Sequence, residues 1–345
     1  FQGKLNVTDG ESQPIFGIDE FSKDVKVRED IQFGSETKLT NLANINDVYV
    51  YDTTKDSDGG EWTCNDVAKG TSWYNEPLNT STRGKTKCFP RKAVIVVTNS
   101  AMNIYDAKDN SMWMVFNVAG SGTGSGNIFM SGTVPTGAHA LNGTIYVGSN
   151  TGGSPLVRIT LKNDRMIIYA SSDGPWHYNT NTAGRNNGAG FTQVADSAQR
   201  IVNDTVNDVQ AAVINGKTYV AAATDEGVSV INETDGTVVD ISLPTASNFS
   251  EHYNVEIAGD DLYTSVTDAG YNPDQIIVYS YYDIHTITSD TDWTTTNNRN
   301  SLSSTPSIAS TALDSDAVWD VFATDGTSTI DPSSNTIYIS TNVGL

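Results

Sequence analysis

The chain is short of the residues that most site chemistry is built from. It has 2 cysteines and 4 histidines in 345 residues, and 20 Lys+Arg stand against 41 Asp+Glu for a formal net charge of -21. Cys64 and Cys88 are too few for a disulfide scaffold or a four-ligand zinc site; they bridge if the compartment oxidises and otherwise stay reduced. The deficit of basic residues argues against nucleic acid as a partner, because a phosphate backbone is held by clustered Lys and Arg that release its counterions. No apolar run approaches the roughly 20 residues of a membrane-spanning helix, so no membrane insertion is expected. Helical periodicity is almost missing too, and one short helix is expected near Val194 to Val202.

Compact catalytic motifs are also lacking. His139, His177, His252 and His285 stand far apart in sequence, with no HExxH spacing and no G-x-S-x-G elbow. The G-x-G-x-G run at Gly122, Gly124 and Gly126 lacks the Lys-Ser/Thr of a phosphate loop and reads as a connection. Among so many acidic residues no carboxylate pair can be singled out for glycoside chemistry. The expectation is a protein that is not an enzyme, the alternative being a glycoside hydrolase or lyase acting on polysaccharide.

What is plentiful is turn chemistry. Residues 209–242, VQAAVINGKTYVAAATDEGVSVINETDGTVVDIS, hold four apolar or alternating runs separated by N-G, D-E-G and T-D-G, a four-stranded meander of tight hairpins. Its first hairpin recurs as ALNGTIYV around Tyr146, VINGKTYV around Tyr219, IAGDDLYT around Tyr263 and SSNTIYIS around Tyr338. The recurrence defines a unit of about 45 residues with insertions, the size of a propeller blade. The fold expected is all-β, a β-propeller of five blades, or six or seven if the insertions at 171–208 and 288–317 conceal further strands. A β-sandwich with long loops is the competing architecture.

A further unit, AVIVVTNSAMNIYDAKDNSMWMVFNV from Ala93 to Val118, shows three strands but no evident first one. NDVYVYDTTKDSDGGEWTC, Asn46 to Cys64, and the final VWDVFAT and NTIYIST look like complementary halves of one blade shared between the two ends, which would close the ring and cover its edges. With the units beginning near Ala93, Ala138, Val209 and Val255 this makes five. Residues 1–3 read as a purification-tag remnant, 4–44 as an extension packing on the propeller, and 45–345 as a single propeller domain.

Two candidate sites follow from residue type. Asp52, Asp56, Asp58 and Glu61 gather oxygen ligands around paired glycines, as a calcium loop does, although an Asp-Gly hairpin turn needs no metal. Trp176, His177 and Tyr178 in the first insertion and Trp293 in the second put aromatic rings on polar loops of a β frame, a combination that suits sugar faces. No other cofactor is expected.

The stretch VYVYDTTKDSDGGEWTC, continuing through TSWYNEPLNTSTRGKTKCFPRKAVIVV to MWMVFN, resembles a segment of large virion proteins of marine bacteriophages. The likeness covers Val48 to Asn117 and brings no catalytic residues. It implies a bacteriophage virion structural protein, tail- or fibre-associated, whose propeller binds other virion proteins or a host-surface glycan. The location implied is the virion, with secretion as the alternative.

Overall fold

Strands in this chain begin where β-branched and aromatic residues alternate and end at Asn-Gly or Asp-Gly turns. In the computed structural model the described residues are 44–120, 127–150, 153–172, 174–178, 181–187, 191–193, 199–241, 251–267, 276–281 and 283–288. Strand segments at 32–33, 37–38, 299–301, 318–323 and 337–341 are described as well. The chain divides into two compact units. One comprises Phe1–Val147, Thr151–Ile167 and His177–Thr192, the other Gly148–Asn150, Ile168–Trp176 and Gln193–Leu345.

Strands β1 (Gln32–Phe33) and β2 (Thr37–Lys38) form a small antiparallel pair. The first full sheet is the meander β3 (Ile45–Asp52), β4 (Lys92–Thr98), β5 (Ala101–Asp106) and β6 (Met112–Asn117). The second runs in order through β7 (Pro135–Leu141), β8 (Thr144–Ser149), β9 (Leu156–Thr160), β10 (Arg165–Tyr169), β11 (Trp176–Tyr178) and β12 (Phe191–Gln193). The third is β13 (Val206–Ile214), β14 (Lys217–Thr224), β15 (Gly227–Asn232) and β16 (Thr237–Ile241). The fourth is β17 (His252–Ala258), β18 (Asp261–Thr267), β19 (Ile276–Tyr281) and β20 (Arg299–Ser301), and β21 (Val318–Ala323) pairs with β22 (Ile337–Thr341).

The fold class is all-β, in meander sheets of the β-propeller blade type. Tyr146, Tyr219, Tyr263 and Tyr338 each fall on the second strand of their sheet. The N-G turns are built as the hairpin chemistry requires: Asn142 and Gly143 sit at φ 51° and 77°, as do Asn215 and Gly216, the positive angles of a type I′ turn.

Within each unit the first strands of successive sheets lie side by side: β3 against β7 in one, β13 against β17 and β17 against β21 in the other. Two of these contacts share one polar clasp. The Asn46 side-chain amide donates to the carbonyl of Pro135, the first residue of β7, and that of Asn207 donates to the carbonyl of His252, the first residue of β17. Three residues further along each partner strand, Ala138 N–H donates to Asp47 and Val255 N–H to Asp208, at 2.8 and 3.0 Å. Each Asn-Asp pair lies at a register shift of its own ladder, between Ile45 and Asp47 and between Val206 and Asp208. The same shift opens β17 and β21. A β-bulge re-aims the side chains next to it, which turns Asn and Asp towards the neighbouring sheet.

This corrects the expectation of a blade shared by the two ends. Asn46 to Asp52 is the missing first strand of the Ala93–Val118 unit, paired from Ile45↔Thr98 to Asp52↔Lys92. Among the described residues, the C-terminal pair β21–β22 forms a sheet of its own. The physical reason is that residues 53–91 are inserted between the strands of one hairpin, so partners in space are distant in sequence. The insertion at 171–208 is not simply a loop either, because it supplies β11 and β12 as outer strands. The one at 288–317 contains β20, and its other residues lie outside those described.

Residues 53–91 fold around their own rings. Trp62, Trp73, Phe89 and Trp113 of β6 pack with centroid separations of 4.7 to 6.4 Å. Cys64 and Cys88 are bridged beside them. Arg83, fully buried, lies 4.7 Å from the Trp113 ring centroid and donates to the Trp113 and Lys87 carbonyls. Arg185, also buried, makes a two-pronged ion pair with Glu76 at 2.7 and 2.9 Å, which offsets the cost of removing its charge from water.

Candidate functional site

Successive side chains of a strand face opposite sides of the sheet, so residues two apart share a surface. Arg158 and Thr160 of β9 share one, as do Arg165 and Ile167 of the adjacent β10; His177 belongs to β11, next in order. Together with Asn163, Asp164 and Met166 these residues line an open cavity of about 1140 Å³. Its opposite wall is Gly70, which follows helix α1 (Asp66–Lys69), and Asn181, Ala183, Gly184 and Asn187 around the 3₁₀ turn Thr182–Asn186.

Asp164 ties the two walls together. It occupies the turn between β9 and β10 with φ 58°, where aspartate tolerates the left-handed region. Its Oδ2 accepts from Ser72 N–H at 2.8 Å, and its Oδ1 accepts from Ser72 Oγ and Thr182 N–H, each at 2.8 Å. Ser72 opens helix α2 (Ser72–Asn75), and its hydroxyl in turn accepts from Ala183 N–H. Both carboxylate oxygens are thus occupied in holding the cavity's shape.

Among the described lining residues, two guanidiniums and an imidazole stand with one carboxylate, in a strongly acidic protein. Burial lowers the His177 pKa below its ordinary 6.5, and the charges of Arg165 and Arg158 lower it further. The imidazole is therefore mainly neutral at pH 7, beside two permanent positive charges.

Of the aromatic set expected from sequence, His177 is among the described lining residues of the cavity. Trp176 is not, the side chain of Tyr178 is not described, and Trp293 lies outside the described residues. Arg158, Arg165 and Asn163 carried no sequence signal, since a strand face becomes a site only once its neighbours are known. The other histidines serve elsewhere: His139 meets the Tyr49 hydroxyl in the β3–β7 contact, and buried His252 bonds Thr264 Oγ1 at 3.0 Å.

The acidic loop does not gather its carboxylates around one point. Asp56 is buried and accepts from Tyr51 Oη, Trp62 Nε1 and Asn142 N–H at 2.6 to 2.8 Å. Asp52 caps the turn at Thr54 and pairs with Lys92; Asp58 bonds Gly60 N–H and pairs with Lys162. Burial raises the pKa of both, but Thr54 and Lys92 on one and Lys162 and Gly60 on the other outweigh it and hold each carboxyl below its usual range. Glu61 is exposed. Among the described residues, the grouping with metal-ligand spacing is Asp260, Asp283 and His285, a surface cluster with one ligand atom each within 4.8 Å of the others.

No protein-family model and no curated protein matches the chain. Among solved structures it is similar to the β-propeller domain of Cps50 (Swd1) from Myceliophteria thermophila, at 7% identity and a TM-score of 0.30, over 57% of this chain and 66% of that one. It is also similar to the N-terminal domain of Nup159, at 13% identity and a TM-score of 0.31, over 59% of this chain and 45% of that one. The chain thus spans under two thirds of the length of each. Scores at this level establish no common overall fold, and the sheet order rests on the strand pairings themselves.

Proposed function

We propose that the protein is a binding scaffold without catalytic activity, which holds a host-surface glycan in the cavity between β9–β11 and the turn Thr182–Asn186. The observation that carries this reading is the lining: amides, a hydroxyl, two guanidiniums and an imidazole on a sheet, groups that orient a hydroxyl-rich ligand. Glycoside hydrolysis needs two carboxylates about 5 to 10 Å apart, one to protonate the leaving oxygen and one to attack or activate water. Asp164 is the one acidic residue among the described lining residues, and both its oxygens are engaged.

The setting we propose is the bacteriophage particle, in its tail, with other virion proteins as further partners. The likeness of Val48 to Asn117 to phage virion proteins is what supports it. Incubation with host polysaccharides should give retention without new reducing or unsaturated ends, and release of such ends would make the protein an enzyme. Mass spectrometry of purified particles should detect the chain; its absence from them would refute the virion setting.

A further inference from the structure

The geometry points to an anionic saccharide, a sugar chain bearing carboxylates, as the ligand of this cavity, with Arg158 and Arg165 as its charge partners. The inference rests on the glycan-binding reading above and narrows it to one chemical class. Three observations carry it.

The first is the local reversal of charge. A chain of net charge -21 repels polyanions at long range, yet it sets two guanidiniums and an imidazole on adjacent strands of one cavity. Salt screens the repulsion from distant carboxylates within about 8 to 10 Å, so groups in contact with the ligand decide its affinity. A guanidinium also matches a planar carboxylate through two parallel hydrogen bonds.

The second is that the cavity's negative charge is already committed. Asp164 could oppose an anion, but three donors converge on its two oxygens. From the facing wall, Asn181, Ala183, Gly184 and Asn187 contribute no titrating group. Among the described residues, the charged or titratable groups lining the cavity are thus Arg158, Arg165, His177 and Asp164.

The third is the polar remainder. Asn163, Asn181, Asn187 and Thr160 supply donors and acceptors for sugar hydroxyls. Trp176 does not line the cavity, so no ring from that position offers the stacking surface on which a neutral sugar would rely. His177 adds a pH response. Its proton is held weakly beside the two arginines, and a bound carboxylate restores that proton, so the affinity should rise as the solution is acidified.

Calorimetric titration with trigalacturonate and, as its neutral counterpart, maltotriose tests this. The wild-type protein should bind trigalacturonate more than about tenfold tighter than maltotriose. Arg165→Gln, at an exposed position, should weaken trigalacturonate about tenfold or more and maltotriose by clearly less, since a neutral sugar loses a hydrogen-bond donor but no charge partner. Moving from about pH 7.5 to about pH 5.5 should tighten trigalacturonate binding several-fold in the wild type and not in His177→Gln. A melting curve for each variant checks that the fold is kept. Equal affinity for the two saccharides, or indifference to Arg165→Gln, would overturn the anionic class and leave glycan binding standing. Failure to bind either trisaccharide or any polysaccharide of a host panel would overturn both.

Discussion

Asp261 opens β18 with a side chain 2% exposed, one oxygen accepting Asp283 N–H and the other without a hydrogen-bond partner. Burial first, and then the charges of Asp260 and Asp283, raise its pKa from 3.8 to about 6. Between these values the folded state binds the proton more tightly than the unfolded chain. The stabilisation is therefore fully present below about pH 4 and is lost as the pH rises through about 6. The difference is worth up to ~3 kcal/mol. Asp261→Asn should be more stable than the wild type at pH 7.5, with the advantage shrinking towards pH 4.5; urea unfolding of both proteins at the two pH values measures it. At this scale the sequence could offer His177, a histidine in a polar, aromatic-bearing segment. It could not offer Arg158 and Arg165, because their shared surface exists only after β9, β10 and β11 pair.

The clasp between first strands belongs to the scale of elements. Asn207 and Asp208 reach β17 as Asn46 and Asp47 reach β7, with matching offsets along the partner strand. Asp208→Ala would leave Val255 N–H without its acceptor in a contact from which water is largely excluded, and should cost about 1–3 kcal/mol. Asp208→Asn keeps an acceptor oxygen and should cost less; thermal melting of the two variants separates them. The repeated Asn-Asp-Val of 46–48 and 207–209 was in the sequence throughout and marks where a sheet begins. Its meaning was hidden because the first copy is followed by the insertion 53–91 and the second by an uninterrupted hairpin. The N-G hairpins, by contrast, were legible because their turn angles depend on two adjacent residues.

For the whole molecule, the all-β class and the blade-sized meanders follow from turn spacing and the scarcity of helical periodicity. The assignment of strands to sheets depended on long-range pairing that no local pattern encodes. The cavity is a product of long-range contact as well: the α1–α2 stretch lies about a hundred residues before the β9–β11 surface and the turn Thr182–Asn186, and Ser72 joins it to them through Asp164 and Ala183. At this scale the cavity is proposed to bind an acidic saccharide. The most direct measurement is NMR mapping of amide and imidazole shifts as trigalacturonate is added to the isotope-labelled protein. Shifts concentrated at Thr160, Asn163, Arg165, His177, Asn181 and Asn187 are the predicted result. Saturable binding with shifts confined to other surfaces, and none at these residues, would contradict it.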